Sequence, residues 1–180
     1  MPIGQYNLLH LQTLQPAIQP LAQRLIELAS EAGIPVRIVS GFRSIPEQEQ
    51  IYAKGRTEPG PIVTKAPPGS SYHNYGLAFD IVPEAYLGLK DWNPTGPLWD
   101  KLGEIGKSLG LEWGGDWRDP DKPHFQIPSS LIPIRELRAY WEKFRQIMPV
   151  SLSPTTGGIA MILLVLAGLW VFSRWASKVL

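Results

Sequence analysis

An aspartate inside a hydrophobic strand is the tightest constraint this sequence carries. Leu77-Ala78-Phe79-Asp80-Ile81-Val82 is short and apolar, is closed by Pro83, and reads as a buried strand. A carboxylate in that setting must be paired, protonated or bound to a metal, because burying it bare costs several kcal/mol. His73 precedes it across the turn Asn74-Tyr75-Gly76, and His124 lies further along the chain. The chain has no cysteine, so a metal here would have to take His, Asp or Glu. Catalytic zinc commonly keeps three protein ligands and one open position for water. His73, Asp80 and His124 supply that number and mixture. Asp121, just before His124, is near enough in sequence to take a proton from such a water. Spacing by itself does not decide between a metal site and three unrelated polar residues.

The surrounding chain reads as one loop-rich domain. Its 180 residues suffice for a core of about 150 residues plus an appendage. A net charge of +1 gives no support to electrostatic nucleic-acid binding, so no nucleic-acid partner is expected. Apolar residues at 21, 25, 28, 29 and 32 form a helical stripe stopped by Gly33, and 34–39 reads as a strand. Ser44-Ile45-Pro46-Glu47 has the form of a capping box, opening a helix that ends at Gly55. A Pro- and Gly-rich loop over 56–71 then leads to His73. A third helix is expected over 97–109, and strands at 111–113 and 124–127. The amphipathic helix at 133–148 suits either a membrane surface or the protein core. Short strands and helices without a βαβ rhythm favour an α+β fold, a small antiparallel sheet with flanking helices holding the metal site.

The carboxyl end has a different composition. No charged residue lies between Arg145 and Arg174, and 157–173 (GGIAMILLVLAGLWVFS) is almost wholly apolar. A bilayer-spanning helix needs about 20 such residues. The expected organisation is therefore a domain over 1–148, a linker over 149–156, and a transmembrane anchor over 157–175 with a short basic tail. The amino terminus has no basic stretch followed by an apolar run, so no signal peptide is expected.

Motifs sharpen the functional reading. Ser71-x-His73-x-x-Gly76-x-Ala78-x-Asp80, with Asp121-x-Pro123-His124-Phe125, resembles the signature of the VanY-like zinc peptidases. That family includes D-Ala-D-Ala carboxypeptidases and the L-alanyl-D-glutamate endopeptidases of phage endolysins and bacterial autolysins. Ser40-Gly41-Phe42-Arg43-Ser44, followed by Gln48, is similar to its upstream motif. Tyr52 to Thr57 and Ile62 to Thr64 are similar to the endopeptidase branch. The resemblance implies Zn2+ held by His73, Asp80 and His124, with Asp121 as catalytic base. It implies that Arg43 binds a substrate carboxylate or steadies the oxyanion, with Gln48 and Ser71 in the substrate-binding or ligand-orienting surroundings. Asp116 and Asp119 are rivals for the role of base. The implied activity is cleavage of the peptidoglycan stem peptide between L-Ala and D-Glu, in phage lysis or cell penetration. The alternatives are a D,D- or L,D-carboxypeptidase, or a non-catalytic wall-binding virion protein. Combined with the apolar carboxyl end, this predicts a single-pass location in the host inner membrane or a viral membrane, with lipid as a second partner.

Overall fold

The computed structural model describes residues 4–147. Among these residues five α-helices, α1 (Gln5–Leu11), α2 (Gln19–Glu31), α3 (Ile45–Ala53), α4 (Leu98–Ser108) and α5 (Ile134–Ile147), surround one four-stranded sheet. Its strands are β1 (Val36–Ser40), β2 (Ala78–Pro83), β3 (Glu112–Trp113) and β4 (His124–Gln126), in the order β1-β2-β4-β3 with every neighbour antiparallel. This is the α+β architecture expected from the sequence.

Strand alternation divides the sheet into a greasy face and a polar one. On the first, Phe79 and Phe125 stack at 5.9 Å between ring centroids, and Trp113 continues the row at 6.4 Å from Phe125. Leu25, Trp99 and Leu102 are fully buried in the same core. On the second, register sets Asp80 opposite both Ser40 and His124, and Gln126 opposite Glu112. The exposed edge of β1 is covered by α1. Buried Asn7 donates to the Val36 carbonyl at 3.0 Å and accepts from the Ile38 amide at 2.8 Å, satisfying edge groups that would otherwise invite another strand. Sequence patterning did not anticipate α1.

The capping box is present: Ser44 accepts from the Glu47 amide, and the Glu47 carboxylate accepts from the Ser44 amide at 2.7 Å. Hydrogen bonds to Ser44 hold the Glu47 carboxyl below its usual range. The amphipathic helix packs on the core through buried Leu137 and half-buried Ile134 and Trp141, which answers its apolar face without a membrane.

The transmembrane part of the expected fold requires correction. No helix among the described residues is long and apolar enough to cross a membrane. The linker over 149–156 and the apolar run over 157–175 lie outside the described residues. The membrane-anchored location and the lipid partner fall with that helix. The helix nearest them in the chain, α5, carries charge along its length (Arg135, Glu136, Arg138) and is unsuited to hydrocarbon.

Candidate metal centre

His73 is delivered by a single helical turn, Tyr72–Tyr75, whose two ends are both fixed by sequence. Ser71 caps its start by accepting from the His73 amide at 3.3 Å. Gly76 ends it in the left-handed region at φ 65°, a conformation that costs glycine nothing and lets the chain turn directly into β2. The imidazole Nδ1 lies 2.7 Å from the Gly41 carbonyl. A carbonyl can only accept, so Nδ1 carries the proton and Nε2 presents a lone pair.

His124 is constrained in the same way from its other nitrogen. Its Nε2 lies 2.9 Å from Gln126 Oε1, leaving Nδ1 as the free lone pair. Asp80 stands opposite on β2. The three atoms His73 Nε2, Asp80 Oδ1 and His124 Nδ1 form a nearly equilateral triangle with separations of 3.2, 3.1 and 3.2 Å. Three donors each about 2.0–2.1 Å from one tetrahedral ion stand about 3.3–3.4 Å apart, so the residues fit a zinc-type ion. Three lone pairs at this spacing repel one another unless a cation, proton or metal, sits among them. Among the described residues this is the one group able to hold a metal.

The electrostatics agree. Burial works to raise the Asp80 carboxyl, but the two imidazoles outweigh it and hold the group well below the usual carboxylate range. Burial likewise opposes charge on His124, yet its bond to Asp80 carries the imidazole above its ordinary value.

Asp121 opens the turn that leads into β4 and is held against the turn after β3. Its amide donates to the Gly114 carbonyl at 2.9 Å, and its own carbonyl accepts from the His124 amide at 3.1 Å. Gly114 is required by close approach, since a Cβ there would stand 2.5 Å from the Asp121 carbonyl oxygen. Burial, followed by the nearby Asp80 carboxylate, raises the Asp121 carboxyl above its ordinary value. An open cleft of about 940 Å³ adjoins it, lined in part by Trp92, Trp99, Lys122 and Pro123.

Arg43 reaches the site from the other side. Its guanidinium donates to Gln48 Oε1 at 3.1 Å and to Ser40 Oγ at 3.0 Å, and stands 3.8 Å from Asp80 Oδ2. Gln48 is fully buried; it also donates to the Ala66 carbonyl at 2.8 Å, tying Arg43 to the long loop. It therefore faces Arg43 and the loop, and Ser71 faces the His73 turn. Asp116 and Asp119, the rivals to Asp121, are exposed and engaged by Lys107 and Lys65, respectively. Trp117 tilts against the His124 ring at 5.0 Å.

Sequence reading missed Gln126 and Glu112. Gln126 was within reach, because strand alternation puts it on the same face as His124. Glu112 carried no such signal.

A two-histidine, one-carboxylate cluster beside a second acid, Asp121, and a fixed arginine defines a metallopeptidase-type site. Residues 64–127 match a family described as D-alanyl-D-alanine carboxypeptidase, peptidase M15. The chain is 44% identical over 122 residues to the peptidoglycan L-alanyl-D-glutamate endopeptidase CwlK of Bacillus subtilis (strain 168), covering 63% of this chain and 73% of that protein. Among solved structures, the LdcB LD-carboxypeptidase superposes with a TM-score of 0.53 at 20% identity, over 72% of this chain and 69% of the other. DacB from Streptococcus pneumoniae D39 superposes at 0.50 and 21% identity, over 81% and 82%. These last two speak to the fold. The chain belongs to the M15 metallopeptidase family.

Proposed function

We propose that this protein is a zinc-dependent peptidoglycan peptidase that cuts the stem peptide between L-Ala and D-Glu. The observation that carries the reading is the triangle of His73 Nε2, Asp80 Oδ1 and His124 Nδ1, with both histidine tautomers fixed from outside. The choice of bond is supported by the 44% identity to an L-alanyl-D-glutamate endopeptidase. A D-Ala-D-Ala carboxypeptidase is the second reading, favoured by the description of the family matched over 64–127. The setting is phage lysis or entry, a reading that rests on the resemblance of Tyr52 to Thr57 and Ile62 to Thr64 to the endopeptidase branch, and the peptidase domain spans 1–148.

His73, Asp80 and His124 would hold the ion. Bound zinc supplies Lewis-acid polarisation and an acidified water near neutral pH. Asp121 takes a proton from the attacking water and returns it to the leaving amine, a cycle suited to a carboxyl group raised by burial. Arg43, restrained by Gln48 and Ser40, pairs with a substrate carboxylate or the developing oxyanion. Gln48 acts on substrate only through Arg43, and Ser71 only through the His73 turn.

Mass spectrometry of muropeptides digested by the zinc-loaded protein tests this. New amino-terminal D-Glu is expected. Release of free D-Ala alone would establish the carboxypeptidase instead, and intact muropeptides would reduce the protein to a wall-binding module.

A further inference from the structure

The polar face of the sheet continues past the metal ligands. Gln126 Oε1 faces His124 Nε2 at 2.9 Å, while Gln126 Nε2 donates to Glu112 Oε1 at 3.2 Å. Gln126 itself is buried. A primary amide has two ends of nearly equal size, and nothing in its shape tells His124 which one it will meet. Glu112 supplies that information. An ionised carboxylate can only accept, so the amide nitrogen must turn toward Glu112 and the amide oxygen toward His124. His124 must then donate from Nε2 and leave its Nδ1 lone pair facing His73 and Asp80. Glu112 is itself anchored: it accepts from the Ser129 amide at 2.7 Å and from the Trp117 indole at 2.9 Å. Trp117 in turn leans on the His124 ring.

We propose that Glu112 is a positioning residue for the metal centre: through the Gln126 amide it fixes the tautomer of His124 and so keeps Nδ1 available to the ion. The inference rests on the metal reading above for its consequence, but the relay itself is a property of the metal-free protein. Outer partners of ligating histidines commonly control affinity in this way, with losses of about 10–100-fold when they are removed.

The test uses the whole protein and two readouts. With Glu112→Ala, the amide of Gln126 is free to rotate. Zinc affinity, measured by competition with a chelator, is expected to fall about 10–100-fold. In the metal-free protein at a pH where the imidazoles are neutral, the 15N signature of His124 is expected to change from Nε2–H to a mixture of tautomers. The decisive variant is Glu112→Ala combined with Gln126→Glu. A carboxylate at 126 has no wrong way round and accepts from Nε2 without help, so zinc affinity and the Nε2–H signature are expected to return. A merely structural role for Glu112, holding Trp117 and Ser129, would not be rescued by a change at 126. Glu112→Gln keeps the side-chain volume and repeats the test, with smaller effects in the same direction, should the alanine variant not fold. An unchanged His124 signature in Glu112→Ala, or failure of Gln126→Glu to restore it, would overturn the relay. A wild-type protein that binds no zinc, yet whose His124 signature responds to Glu112→Ala, would overturn the metal reading and leave the relay standing.

Discussion

At Asp121, burial and the Asp80 carboxylate push the carboxyl group in the same direction, upward. That is the direction a general base needs, since a carboxylate at its ordinary value holds a proton too weakly to pass it on. Asp121→Asn keeps the size and most hydrogen-bonding capacity of the side chain. It is expected to lower kcat about 10²–10⁴-fold while zinc affinity changes only a few-fold. Muropeptide turnover and zinc titration on one preparation separate the two effects; a parallel loss of zinc would make Asp121 a ligand rather than a base. His124 carries the pH dependence. Its folded-state value is raised, chiefly because the bond to Asp80 overcomes burial. In the metal-free protein that pairing contributes stability fully present below about pH 6.5 and lost as pH rises through the raised value. Zinc requires the neutral ring, so its affinity rises over the same interval. Asp80 is already ionised there, being held well below the usual range. The increase in Tm on adding zinc should therefore grow with pH across the neutral region. Thermal melts with zinc and with EDTA at a series of pH values check this, and an increment that shrinks with pH would place the proton elsewhere.

At the scale of elements, the site is a matter of register and close approach. Asp80 and His124 meet because β2 and β4 pair them directly, and Asp121 is placed because its backbone can touch Gly114 in the turn after β3. Gly114→Ala would put a methyl 2.5 Å from the Asp121 carbonyl and 3.1 Å from the His124 Cβ. The backbone must move, at a cost of about 1–3 kcal/mol. Since the atoms that must yield belong to Asp121 and His124, the proposed base and one proposed ligand, activity is expected to fall more than stability, by about 10-fold or more in kcat/KM. A chemical melt beside a turnover assay measures both; full activity would mean that the turn has slack. Much of this was legible beforehand. The buried strand around Asp80, the capping box at Ser44 and the helix over 97–109 were read from apolar runs and caps, which are local signals. The motif resemblance had put Gln48 in the surroundings of Arg43, but the pairing of Glu112 with Gln126 was not legible, because it links two strands and depends on where side chains land after packing. The helix Gln5–Leu11 was missed for a related reason. It is seven residues long, and Tyr6, Leu8 and Leu9 are exposed, so its hydrophobic pattern does not point inward.

For the whole molecule, the question is how much of the chain the site depends on. The sequence suggested a domain over 1–148 and an anchor beyond it; no helix among the described residues is long and apolar enough to cross a membrane, and the apolar run lies outside them. The domain can be argued on separate grounds. The buried hydrophobic residues among those described run from Leu11 to Leu137 and form one cluster. That cluster joins α1, the sheet and α5, and every hydrogen bond that orients His73, Asp80, His124, Asp121 and Arg43 lies between residues 40 and 126. Zinc would tie β2, β4 and the His73 turn together, adding stability by mass action as RT ln(1 + [Zn]/Kd), or about 2.7 kcal/mol at a free concentration one hundred times Kd. A chain ending at residue 148 is therefore expected to fold cooperatively, to bind zinc as tightly as the full chain, and to cleave soluble muropeptides at the same rate. Calorimetric unfolding, zinc titration and turnover on the two chains provide the comparison. Loss of cooperative unfolding in the shorter chain would show that residues beyond 148 belong to the domain. Intact folding with lost turnover would show instead that they contribute to substrate binding.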